Sequence, residues 1–168
     1  MLALLFCAPA AHCANSVARS DLDAAVHCLG FLESLPADGR IVTAVIYDNP
    51  STFSLAEDTA RTLNSMPGPN STRFEASALS VNDLAHRSGR LDLIFVIPGT
   101  AARAQEIRSV AVRNRALSIS DDPTCVDRNC CVLMVHSGDR VEVVLNTSLA
   151  DEVGARFSMV FTMVVTRR

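Results

Sequence analysis

The sequence predicts a three-layer α/β domain: a mostly parallel sheet with helices on both faces and an antiparallel C-terminal hairpin at the edge. Three observations predict it. Apolar β-type runs at 41–47, 91–97 and 116–120 alternate with segments of helical period, the order that builds a parallel sheet. The first two runs, IVTAVIY and LDLIFVI, are apolar at nearly every position, as strands covered on both faces are. Past residue 120, two β-rich runs are joined by Ser137-Gly138-Asp139, a hairpin signature.

The elements follow in order. Residues 20–35 read as a helix, with Ser20 or Asp21 as N-cap and Leu22, Ala25, Val26, Leu29 and Leu32 as its apolar stripe; Pro36 and Gly39 end it. The strand 41–47 runs into the turn Asp48-Asn49-Pro50. A helix over 54–66 carries Leu55, Thr59 and Leu63 on one face, and Pro67-Gly68-Pro69-Asn70 breaks it. A short strand over 72–76 precedes a helix that starts at Ser80 and reaches about Arg87. After the strand 91–97 comes Pro98-Gly99-Thr100, then a helix over 101–113, then the strand 116–120. Asp121-Asp122-Pro123 opens the next turn. Val132–Val135 and Val141–Leu145 form the hairpin. Thr147 or Ser148 caps a helix that Gly154 ends. The segment 157–166 fits a strand or a helix, and the shared face of Phe157, Val160, Phe161 and Val164 favours helix.

The 168 residues are 49% hydrophobic with a net charge of −3. That suits one domain, over 20–166, with a proper core. It excludes disorder and gives no general attraction to nucleic acid or anionic lipid. All 15 basic residues are arginine. Residues 1–14, MLALLFCAPAAHCA, read as a secretory signal whose charged start is missing. Cys7 and Cys13 are poor lipidation sites, because Phe6 and His12 stand where a small residue belongs. No other stretch approaches the roughly 20 apolar residues of a membrane span. The expectation is an exported, soluble, periplasmic domain.

Removal of the signal leaves Cys28, Cys125, Cys130 and Cys131, an even number that suits an oxidising compartment. Cys125 and Cys130 sit at the ends of a short polar loop, 126–129, that lets the chain fold back. A bridge between them stabilises by about 2 kcal/mol on the chain-entropy argument. Cys131 is the alternative partner, and a Cys28–Cys131 bridge or free buried thiols stay open. A metal site using Cys125, Cys130, Cys131 and His136 does not match the paired CxxC spacing of structural zinc.

No catalytic constellation is visible. His12, His27, His86 and His136 lie outside any catalytic motif, and the chain has no GxSxG, phosphate-binding loop or GxGxxG. Nothing calls for a metal or another cofactor. Asp48 and Asp92 suggest a receiver domain, but the chain lacks the required lysine and Asp92 lies at the wrong strand end. Asn70 and Asn146 head Asn-x-Ser/Thr triplets, where each serves a turn or cap. If a ligand binds, open α/β sheets favour the loops at the strand carboxyl ends. Here those loops hold Asp48, Asn49, Gly99, Thr100, Asp121 and Asp122.

The assembled pattern carries a resemblance. Its pieces are a helix ending in Leu35-Pro36, then IVTAVIYDNP, LDLIFVIPGTA, ALSISDDPTC and CCVLMVHSGDRVEVVLNTSLADEVGARFS. The chain resembles the YfiR/HmsC-like family of periplasmic proteins from about Leu22 to Val164, most specifically over Ser120–Ser158. Leu35-Pro36 stands where that family has an aromatic-Pro pair, and Asp48-Asn49-Pro50 lacks its glycine. The resemblance implies a bridge near Cys125–Cys130 and a non-enzymatic regulator. Its implied partner is the periplasmic domain of an inner-membrane diguanylate cyclase, held inactive until envelope or redox stress releases it. A homodimer is compatible with the same reading.

Overall fold

The computed structural model describes residues 17–168. The expected signal at 1–14, with Cys7, His12 and Cys13, lies outside the described residues. The elements are α1 (Arg19–Leu29), β1 (Arg40–Tyr47), α2 (Phe53–Ser65), β2 (Arg73–Ser80), α3 (Val81–His86), β3 (Leu93–Val96) and α4 (Ala104–Asn114). They continue with β4 (Leu117–Ser120), α5 (Pro123–Asp127), β5 (Leu133–Ser137), β6 (Val141–Leu145), α6 (Thr147–Val153), α7 (Met159–Val164) and β7 (Thr166–Arg167).

The seven strands form one sheet in the order β2-β1-β3-β4-β5-β6-β7. Strands β1 to β5 are mutually parallel, and β6 returns antiparallel to β5. The fold is therefore the expected three-layer α/β arrangement with its hairpin toward one edge. The chain steps outward from β1 to β2 through α2, then back across β1 to β3. Right-handed crossovers put α2 and α4 on opposite faces of the sheet. The central strands are buried throughout: Ala44, Val45 and Ile46 of β1 and all four residues of β3 are covered from both sides. That double cover is why their sequences are apolar runs and not alternating ones.

Several boundaries differ from expectation, each for a physical reason. Helix α1 stops at Leu29, not Leu35. Residues 31–33 leave the helix to pair with 156–158: Leu32 bridges Phe157, Glu33 N–H donates to Arg156 O at 2.9 Å, and Ser158 N–H donates to Phe31 O at 2.9 Å. Neither Ser20 nor Asp21 caps α1; Ala18 holds that position. The buried Asp21 carboxylate instead accepts the Ser137 N–H of β5 at 2.5 Å. Strand β2 runs on to Ser80, because all eight of its residues pair with β1, from Arg73↔Arg40 to Ser80↔Tyr47.

Asn146, not Thr147 or Ser148, caps α6 by accepting from Leu149 N–H at 3.0 Å. Gly154, with φ 75°, ends that helix in the left-handed region that glycine enters freely. The ambiguous segment 157–166 resolves into both readings: α7 is helical, and the chain then extends as β7 against Val144 and Leu145. The stretch between Cys125 and Cys130 is not a plain loop. Its first residues, through Asp127, complete the short helix α5, which Pro123 opens and Asp122 caps.

Candidate binding surfaces

Cys125 and Cys130 are joined by a disulfide, with S–S 1.99 Å and Cα atoms 5.0 Å apart. The backbone makes that ring before sulfur closes it. Asp122 accepts from Thr124 N–H at 2.9 Å, and Cys130 N–H donates to Cys125 O at 2.9 Å. Asn129 takes φ 58°, which turns the chain back. Its side-chain oxygen accepts from Asn146 at 2.8 Å, tying the ring to the start of α6. Both sulfurs are buried, while Asp127, Arg128 and Asn129 face solvent. The disulfide leaves neither sulfur a thiolate to offer a metal. Among the described residues, Cys131 and Cys28 are free, and both are buried. Burial pushes both thiols up, Cys28 to about 11, so neither is a thiolate near neutral pH.

The loops at the carboxyl ends of β1, β3 and β4 do converge at one edge, where the chain direction across the sheet reverses. Their polar groups are largely consumed there. Asp48 accepts from Arg103 at 2.8 Å, and the same guanidinium reaches Asn82 at 2.9 Å and pairs with Glu106. Asn49 accepts from Ser51 N–H at 3.0 Å. Gly99, at φ 84°, donates its N–H to Asp122 at 3.5 Å, and Thr100 is buried. Asp122 is already the cap of α5. Asp121 is the exception. One of its carboxyl oxygens is buried with no hydrogen-bond partner among the described residues. Its carboxyl is pushed up to about 6, first by burial and then by the negative charges of Asp21 and Asp122.

A different surface is open. A groove of about 920 Å³ runs between α1, β6 and α7. Its walls include Ala24, His27 and Phe31 on one side and Val141, Val143 and Phe161 on the other. Phe161 is the buried anchor of α7. It stacks on Phe31 at 5.2 Å and on Phe157 at 4.9 Å between ring centroids. Fixing Phe161 inward turns the rest of this apolar helix outward. Met159, Met163 and Val164 are each 77% exposed, and Val160 is 67% exposed. Val141 adds a fifth exposed apolar side chain from β6. Strand β7 pairs only with Val144 and Leu145, so among the described residues no strand lies beside the outer edge of β6 from Val141 to Val143. Exposed apolar patches on folded domains are often places where another surface docks.

Sequence reading missed this surface. The signal was present, because FSMVFTMVV holds more apolar residues than one buried face needs. The reading of 157–166 as strand or helix leaves open which of its side chains face solvent.

No family model matches the chain, and no curated protein does. Solved structures do. The ligand-free, open structure of CD0873, a substrate binding protein with adhesive properties from Clostridium difficile, aligns at TM-score 0.56 and 9% identity, covering 76% of this chain. A conserved domain protein from Vibrio cholerae O1 biovar El Tor aligns at TM-score 0.57 and 11% identity, covering 90%. The alignments span 54% and 60% of those two proteins' own lengths. At these identities the likeness is one of fold: the chain shares the α/β architecture of these proteins.

Proposed function

We propose that this chain is an exported regulatory domain that acts by holding another protein, and that it carries out no catalysis itself. The observation that carries the reading is the exposed apolar face of α7 beside the open part of β6. The buried Cys125–Cys130 disulfide suits an oxidising compartment outside the cytoplasm. The resemblance to the YfiR/HmsC-like family over Ser120–Ser158 supplies the finer reading. The partner is the periplasmic sensor domain of an inner-membrane diguanylate cyclase, and binding keeps cyclic-di-GMP synthesis low. A small domain biases a two-state sensor only by binding one of its states more tightly. An apolar docking face provides that preference if the sensor exposes its complement in one state alone.

The test is genetic and structural together. Deletion of the gene should raise cellular cyclic-di-GMP, and the wild-type gene should restore it. A photo-crosslinker at Met163 should capture a membrane diguanylate cyclase, and Met163→Glu should fail to complement. Unchanged cyclic-di-GMP on deletion, or full complementation by Met163→Glu, would overturn the proposal.

A second reading is a small-ligand domain that uses the carboxyl-end loops. The unpartnered Asp121 oxygen is the observation in its favour. Copurification of a small molecule that Asp121→Asn releases would support it.

A further inference from the structure

The amino ends of the parallel strands frame a cavity of about 550 Å³, at the opposite edge of the sheet from the loops just described. It is built by the segment after α1, the residues at the starts of β1, β3 and β4, and the turn after α6. Its floor is apolar. Leu29, Ile41, Leu93, Leu117 and Val153 line it, and all are buried.

Its charges are unequal. Arg90 is neutralised, because it donates to Asp38 at 2.7 Å and to Asp92 at 2.9 Å. That guanidinium holds the Asp38 carboxyl well below the usual carboxylate range. Arg115 and Arg156 line the same cavity and are exposed. Among the described residues, no carboxylate lies within 4.0 Å of either guanidinium. Glu33 and Asp151 share a neighbouring hollow with Arg156, outside ion-pair distance.

Local backbone sets both arginines in place. Arg115 ends α4 in the left-handed region at φ 52°. Arg156 lies in the turn after Gly154, its carbonyl held by Glu33 N–H at 2.9 Å. An apolar floor beneath two unneutralised guanidiniums complements a molecule with an apolar body and one anionic head. Guanidinium forks match a carboxylate in geometry as well as charge. The volume falls within the usual range for small-molecule sites.

We propose that this cavity binds a small amphipathic carboxylate, its apolar body on the Leu93–Leu117–Val153 floor and its carboxylate held by Arg115 and Arg156. The site is separate from the α7 face and stands whether or not that face binds a cyclase.

Octanoate titrated into the isotope-labelled protein, followed by amide chemical shifts, tests it. Shifts should centre on Leu93, Leu117 and Val153. Acetate and octanol, the head and the body alone, should each bind at least about tenfold more weakly. Added salt should weaken octanoate binding, because the arginines are exposed. Arg115→Asn combined with Arg156→Gln should weaken octanoate at least about tenfold and leave octanol unchanged; Asn is chosen because it tolerates the left-handed backbone. Octanoate shifts centred on the α7 groove, salt-independent binding, equal binding by the double variant, or no binding at millimolar octanoate would each overturn the assignment.

Discussion

Asn64 of α2 completes the edge of the sheet at Ala76. Its side chain donates to Ala76 O at 2.9 Å and accepts Ala76 N–H at 2.7 Å. One amide thus satisfies both backbone groups of an edge-strand residue, as a neighbouring strand would. Exposed edges invite pairing with other chains, and proteins cover them by such devices. Asn64→Ala should cost about 1 kcal/mol, because the freed groups still reach water. It should also promote association. Denaturant unfolding reads the first effect, and elution volume against concentration reads the second.

Reduction of the Cys125–Cys130 disulfide, or its replacement by two serines, should lower stability by about 2 kcal/mol. The midpoint of urea unfolding should fall. The domain should stay folded, since α5 and the Asn129–Asn146 hydrogen bond do not depend on sulfur. If the double serine variant binds the partner as the native chain does, a redox role for this bridge is excluded.

Asp121 gives the stability a pH dependence. Its carboxyl is raised to about 6 in the fold, against an ordinary value of 3.8. A carboxyl that holds its proton more tightly when folded favours folding at low pH and opposes it once ionised. Its penalty is therefore full above about pH 6 and disappears as pH falls through 6 toward 3.8. Asp121→Asn should stabilise the domain at pH 7.5 by up to about 3 kcal/mol. At pH 4 the gain should vanish. Unfolding curves at the two pH values decide it.

Met163→Ser should leave stability within about 0.5 kcal/mol, since the side chain lies outside the core. Phe161→Ala should cost about 3–5 kcal/mol, the usual loss for a buried aromatic. Thermal melts of the pair would separate the anchor of α7 from its outward face.

The layers of this fold were legible because strand burial is written residue by residue. IVTAVIY and LDLIFVI admit no solvent face, and the hairpin carries its own glycine turn. The short separation of Cys125 and Cys130 pointed to a bridge, and only the structure decides for Cys130 over Cys131 as the partner. What stayed illegible depends on distant partners. Nothing local says that Leu32 must leave α1 to meet Phe157, or that Asp21 is reserved for Ser137. The carboxyl-end loops were chosen by a rule about open α/β sheets. That rule does not see Arg103 arriving from the turn just before α4 to occupy Asp48. The arginine cavity eluded sequence reading for the same reason, because Arg90, Arg115 and Arg156 come to line one cavity only when three separate turns converge.

The clasp between residues 31–33 and 156–158 ties together the exit of α1 and the entrance of α7. The α1 and α7 parts of the apolar groove are therefore tied at one point. An occupant that pushes α7 away from α1 should strain that point. The amides of Glu33 and Ser158 would register this strain as a matched rise in hydrogen exchange, far from the point of contact.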